Sequence, residues 1–241
     1  MQPVLLLKEK PMSSIANRIS TTLTRISDAE QRFGRLPESV TLLAVSKTKP
    51  AQMIRQAYSA GQRHFGENYL QDALPKIEQL ADLDICWHFI GPLQSNKSRA
   101  VAEHFDWFHS LDRFKIAQRL SEQRPATKSP LKVCIQINIS REASKSGILP
   151  EQAADLVRQV QGLPGLRLCG LMAIPAAGLD KTGQREAFAA LRLLLRALQP
   201  LAPQMSTLSM GMSDDLEAAV AEGATVVRIG TAIFGVRETL E

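Results

Sequence analysis

Thr41-Leu-Leu-Ala-Val-Ser-Lys47 is a short apolar run that ends on a lysine, and Val226-Val-Arg-Ile-Gly-Thr231 is its counterpart near the far end of the chain. Both read as strands buried on both faces, because apolar residues run through them without the alternation of a half-exposed strand. Similar runs fall at 63–67, 87–90, 107–109, 132–137, 166–172 and 207–209, the outer two being 40–46 and 225–229. Helical spacing lies between them, as in Ile54, Ala57 and Tyr58, in Ala153, Leu156, Val157 and Val160, and in Phe188, Leu191, Leu194, Leu195 and Leu198. Eight strands alternating with helices predict a single-domain α/β protein, a (β/α)8 TIM barrel. Ile15, Ile19, Leu23 and Ile26 predict an extra N-terminal helix capped by Ser13 or Ser14. The alternative is an open doubly wound sheet, but its Gly-rich first turn is missing from Ser46-Lys-Thr-Lys-Pro50.

A chain of 241 residues suits one large domain. The net charge is +5, but the basic residues are scattered and aromatics are only 5%, which argues against a nucleic-acid surface. Cys86, Cys134 and Cys169 are far apart, and their spacing predicts no zinc site. Cys134 and Cys169 sit in apolar runs and read as buried reduced thiols, which fits a cytoplasmic protein. Residues 1–12 read as a disordered leader, with an apolar stretch at 4–7 too short for a signal peptide, and 13–241 as the barrel. No run reaches membrane-spanning length.

Barrel enzymes carry their chemistry at the carboxyl ends of the strands, so the strand exits decide the function. Leu43, Val45 and Lys47 share one face of the first strand, which predicts Lys47 pointing inward and partly desolvated, with an amine free for carbonyl attack. The second exit offers Gly66, Asn68 and Tyr69, with Asn68 also readable as a helix cap. In the third strand His88 reads as a hydrogen-bonded core histidine. The fifth exit carries Lys145, which adds positive potential. The loops after strands seven and eight each pair a glycine with a hydroxyl, Gly211 with Ser213 and Gly230 with Thr231, and each is expected to open a helix. Two ordinary caps explain each loop alone but not their coincidence at the exits where barrels bind phosphate. Arg228 donates hydrogen bonds but does not give up its proton at neutral pH. If the barrel closes, an amine, a guanidinium and a phosphate cradle share one mouth, the parts that hold pyridoxal phosphate as a Schiff base.

Leu43-Ala-Val-Ser-Lys-Thr-Lys49, Phe65-Gly-Glu-Asn-Tyr69, Trp87-His-Phe-Ile-Gly-Pro-Leu-Gln-Ser-Asn-Lys97, Ser144-Lys-Ser-Gly147, Gly170-Leu-Met-Ala-Ile-Pro175, Ser209-Met-Gly-Met-Ser-Asp-Asp215 and Val227-Arg-Ile-Gly-Thr-Ala-Ile-Phe-Gly235 resemble the pyridoxal phosphate homeostasis protein family, over about residues 13–237. That family is similar in fold to the N-terminal barrel of alanine racemase. The resemblance implies pyridoxal 5′-phosphate bound to Lys47 and Arg228 facing the pyridine nitrogen. It further implies Ser213, Gly230 and Thr231 on the phosphate, Asn68 beside the ring, and Lys49 and Lys145 as basic residues for cofactor exchange. It also implies a cytoplasmic monomer that buffers pyridoxal phosphate or delivers it to apo-enzymes, with no established catalytic turnover. Two other readings stay open. An amino-acid racemase calls for a second domain with a reaching tyrosine, which this chain, with Tyr58 and Tyr69 alone, is expected to lack. A class I aldolase acting on a sugar phosphate uses the lysine and the cradle but gives Arg228 no task.

Overall fold

The computed structural model describes residues 14–235, so the expectation of a disordered leader at 1–12 lies outside the described residues. Eight parallel strands close into a barrel in sequence order: β1 Thr41–Val45, β2 His64–Glu67, β3 Cys86–Phe89, β4 Trp107–Leu111, β5 Leu131–Ile137, β6 Leu166–Ala173, β7 Thr207–Ser209 and β8 Val226–Ile229. The helices are α1 Ile15–Arg32 before the barrel, then α2 Ala51–Ser59, α3 Leu70–Gln79, α4 Ser98–His104, α5 Phe114–Gln123, α6 Ala153–Val160, α7 Lys181–Leu198, α8 Leu216–Ala221 and α9 Thr231–Phe234. This is the predicted (β/α)8 barrel with one additional N-terminal helix, and each strand lies within two residues of its expected bounds. No helix among the described residues is long and apolar enough to cross a membrane.

The seam that closes the barrel pairs β1 with β8, setting Leu43 against Arg228 and Ala44 against Ile229. Outward-facing Leu42 and Ala44 join the core under the helices, while Leu43 and Val45 are buried outside that cluster. Strand alternation therefore splits the molecule into an apolar outer layer and a separate barrel interior.

Ser14 caps α1 by accepting a hydrogen bond from the Asn17 N–H. The buried stripe of α1 is Ile15, Ile19, Thr22, Ile26, Ala29 and Glu30. Leu23, expected in that stripe, is exposed. Thr22 takes the buried place because its hydroxyl donates to the Arg18 carbonyl within the helix, so burying it strands no polar group. Each fully buried Ile or Leu on such a stripe contributes about 1.5–3 kcal/mol.

Glu222, just past α8, joins that helix to α7. Its carboxylate accepts from Arg185 at 2.6 Å and from Arg192 at 2.9 Å. Burial pushes the Glu222 carboxyl up, but the hydrogen bonds and charges of the two arginines outweigh it and hold it below its usual value. Glu222→Gln is expected to lower stability at pH 7 by about 1–3 kcal/mol, read as a shift in the urea midpoint. A group lowered on folding stabilises above its unfolded pKa and loses that contribution as pH falls through its folded pKa. The gap between the two proteins should therefore close on acidification below the carboxylate range. A gap that stayed constant with pH would show that the effect is packing, not charge.

Candidate functional site

At the carboxyl end of the barrel a cavity of about 570 Å3 is lined by Val45, Lys47, Asn68, Ile90, Ile174, Met212, Ser213, Asp214, Arg228, Gly230, Thr231 and Ala232. Six residues singled out from the sequence thus meet in one place: Lys47, Asn68, Ser213, Arg228, Gly230 and Thr231. Gly211, Lys49 and Lys145 lie outside this lining. The size is that of a small-molecule site.

Lys47 stands two residues beyond the last residue of β1. Its expected desolvation does not hold, because the side chain is exposed at the rim. The chain turns there: Thr48 has a positive φ of 63°, and the Lys49 N–H donates to the Ser46 carbonyl at 3.0 Å. The residue before the lysine is buried and clamped. Ser46 Oγ donates to Glu67 Oε1 at 2.6 Å, and Lys76 Nζ donates to the same oxygen at 2.9 Å and to the Ser46 carbonyl at 3.0 Å. Glu67 is fully buried, and burial pushes its carboxyl up against the opposing pull of Lys76. This trio, absent from the sequence reading, fixes the end of β1 from which Lys47 projects.

Asn68 does not cap α3; Tyr69 occupies that position without a side-chain cap. Asn68 Oδ1 is instead buried with no hydrogen-bond partner in the protein, although it borders the cavity. A buried acceptor without a partner is costly, and Asn68 lines both this cavity and a neighbouring one with Tyr69, Leu74 and Pro92. Gly91 allows this placement, since a Cβ there would lie 2.1 Å from the Asn68 carbonyl oxygen.

Ser213 does not cap α8 either. That position belongs to Asp215, whose carboxylate accepts from the Met212 N–H and closes the loop. Arg25 of α1 holds the Ser213 carbonyl at 3.1 Å while pairing with Glu217 at 2.8 Å, so the extra helix braces this loop. The Ser213 hydroxyl is left at the cavity. Gly211 sits behind it with φ 97°, where a Cβ would press to 2.5 Å from that of Ala219, and its carbonyl accepts from the Arg228 N–H. Gly230 opens α9 as expected, followed by Thr231.

Arg228 is 5% exposed. Its guanidinium donates to the Ser209 carbonyl, to Ser209 Oγ at 2.9 Å and to the Ala173 carbonyl at 2.9 Å. Burial brings its pKa down to about 10, with Asp215 and Cys134 opposing, so it remains a cation at neutral pH. Behind it a polar column runs down the barrel interior. His109 Nδ1 lies 2.8 Å from Ser209 Oγ, His88 Nδ1 2.8 Å from His109 Nε2, and His64 Nδ1 3.0 Å from His88 Nε2. His88 is thus the hydrogen-bonded core histidine expected. Burial, with Arg228 adding to it, lowers His109 to about 3, and burial holds His88 well below its usual range.

The donor set suits a phosphorylated aldehyde. Two hydroxyls and the leading N–H groups of α9, which have no partner inside the helix, suit a dianion. Lys47 offers a primary amine and Asn68 an unpaired acceptor. A permanent cation faces the same space.

A family described as alanine racemase, N-terminal domain, matches residues 24–238. The pyridoxal phosphate homeostasis protein of Pseudomonas aeruginosa is 60% identical over 227 residues, covering 94% of this chain and 97% of that protein. Its namesake in Escherichia coli K12 is 54% identical over 230 residues, covering 94% and 98%. The solved structure of PipY from Synechococcus elongatus PCC7942 with PLP bound has a TM-score of 0.82 at 41% identity and covers 92% of this chain and all of that one. Alanine racemase from Corynebacterium glutamicum, 15% identical with a TM-score of 0.68, covers 94% of this chain and 64% of its own and shares the fold.

Proposed function

Because the chain belongs to the pyridoxal phosphate homeostasis protein family, built on the alanine racemase N-terminal barrel, we propose that it binds pyridoxal 5′-phosphate at the mouth lined by Lys47 and Arg228 and buffers or delivers the cofactor without a catalytic reaction of its own. The observation that carries this reading is the convergence of one primary amine, one buried guanidinium and two hydroxyl-bearing loops on a single cavity. Pyridoxal phosphate supplies an aldehyde that condenses reversibly with a primary amine.

Lys47 is the amine in this reading. Its exposure at the rim suits a ligand that must leave as well as enter. Ser213, Gly230 and Thr231 hold the phosphate, and Asn68 borders the ring. Gly211 shapes the phosphate loop from behind. Lys49 and Lys145 serve exchange, with Lys145 Nζ 3.5 Å from the Pro175 carbonyl. Arg228 faces the pyridine nitrogen. A cation with a pKa of about 10 opposes protonation there and leaves the ring a poor electron sink, which favours a carrier over carbanion chemistry. The same reading makes the protein a cytoplasmic monomer whose partners are pyridoxal phosphate and the apo-enzymes that use it.

Ser213→Ala and Thr231→Val are each expected to weaken pyridoxal phosphate binding about tenfold, which corresponds to about 1.4 kcal/mol. Phosphate-free pyridoxal, titrated by absorbance in parallel, should bind wild type and variants alike. Equal weakening of both ligands would move the phosphate elsewhere. Steady racemisation of an amino acid by the wild-type chain would overturn the carrier reading.

A further inference from the structure

The amino end of the barrel carries a second set of convergent side chains. Cys86 and His88 are two residues apart on β3 and so share its inner face, and the register sets His64 of β2 directly beside Cys86. His64 Nδ1 is 3.0 Å from His88 Nε2, and Cys86 Sγ is 3.4 Å from the same nitrogen. One donor atom from each residue lies within 4.8 Å of the others. Tetrahedral zinc bonds nitrogen at about 2.05 Å and sulfur at about 2.3 Å, which separates two nitrogens by about 3.3 Å and a nitrogen from a sulfur by about 3.6 Å. The two separations from His88 Nε2 are within a few tenths of an ångström of these values, and the His64–Cys86 pair, within 4.8 Å, would close by up to about 1 Å to seat an ion among the three atoms.

We propose that Cys86, His64 and His88 bind a thiophilic divalent cation of the Zn2+ class, with water as its fourth ligand. A groove of about 530 Å3 at this end is lined by Cys86, Asp84, Asp106 and Lys132 among others, and it gives the ion a path from solvent and room for the water. As Sγ binds, the thiol proton leaves to solvent. The thiolate, Asp84 and Asp106 offset only part of the charge of the ion and of Arg63, Arg124, Lys132 and Arg167 in the same lining, so the site is expected to favour a thiolate-bound ion over a free one.

The surroundings of His88 support the assignment. With its Nε2 lone pair on the metal, Nδ1 carries the ring hydrogen and donates to His109 Nε2. His109 then donates from Nδ1 to Ser209 Oγ. Each nitrogen of the two rings has a partner of the right polarity, the outer-shell support that metal-bound histidines show. Barrel chemistry sits at the other end, so this ion is structural or regulatory, and the hydrogen-bond column links it to Arg228.

The purified full-length chain, stripped with a chelator, would be titrated with Co2+ and then Zn2+. The expected result is one Co2+ per chain, a near-ultraviolet thiolate-to-cobalt band, intense four-coordinate visible bands, and displacement by Zn2+. Cys134 and Cys169 are buried and outside the groove lining, and loss of the band in Cys86→Ser assigns it to Cys86. Cys86→Ser should abolish that band, and His64→Gln should weaken binding by about 100-fold, with circular dichroism confirming that both variants fold. A wild-type chain that takes up no Co2+, or takes it up without the thiolate band, overturns the proposal whatever the variants do. Uptake unchanged in both variants overturns it equally.

Discussion

Lys47→Ala is expected to leave a folded chain that no longer carries pyridoxal phosphate through borohydride reduction and denaturation, with the mass label falling to background. Three lysines flank the mouth by sequence, but among the described residues Lys47 is the one amine in the cavity lining. It also follows directly on Ser46, which is anchored from beneath by its buried contacts with Glu67 and Lys76. The lysine is exposed, so its loss removes no packing and should leave the unfolding free energy of the ligand-free chain within about 0.5 kcal/mol of wild type. That separation makes the result informative. A label that persists on Lys49 or Lys145 would move the covalent site along the rim. A wild-type chain that takes no label at all would bring the aldolase-like reading forward.

Breaking the Glu67–Lys76 pair should produce the largest stability loss. The Glu67 side chain is 0% exposed and that of Lys76 9%, at 2.9 Å. Removing one partner of a buried pair leaves an uncompensated charge and costs about 3–5 kcal/mol, a large share of a typical total of about 5–15 kcal/mol. For a chain of this size Lys76→Met should lower the thermal midpoint by roughly 6–20 °C. Replacing both partners with apolar or neutral residues, as in Glu67→Gln with Lys76→Met, should recover much of the loss, because no buried charge remains. The pH dependence has a definite sign. Without Lys76, only the Ser46 hydrogen bond opposes the upward push of burial and of Asp72 on the Glu67 carboxyl. A carboxyl raised on folding costs stability as pH rises through the window between its unfolded and folded values, so the single variant should gain on wild type upon acidification. A midpoint within about 2 °C of wild type at pH 7 would show that water reaches the carboxylate. Since Ser46 shares this cluster, the same variant should also weaken cofactor retention without touching Lys47.

The strands were legible because parallel strands covered on both faces must be apolar along their whole length, whatever surrounds them. The helices were legible from spacing, with the error at Leu23 and Thr22 arising because threonine satisfies its own hydroxyl inside a helix and so buries as an apolar residue would. The caps were read less well. Ser213 and Asn68 have the chemistry of caps, but Asp215 and Tyr69 hold those positions, and the passed-over side chains face the cavity. Local propensity cannot tell a hydroxyl spent on a helix from one kept for a ligand.

By itself, then, the sequence determined the barrel, the order of its strands, and the exits at which Lys47, Arg228 and the two glycine-hydroxyl loops lie, because those depend on local periodicity and on a topology with few alternatives. Tertiary structure alone decided what meets what. Lys47 and Thr231 become neighbours only when β1 pairs with β8. Glu67 and Lys76 become a buried pair only because α3 folds back over the end of β2. Cys86, His64 and His88 converge only through the register of β2 with β3, which no spacing along one strand contains. Side-chain chemistry is written residue by residue, but burial, charge and distance belong to pairs, and the pairs exist only once the chain has closed.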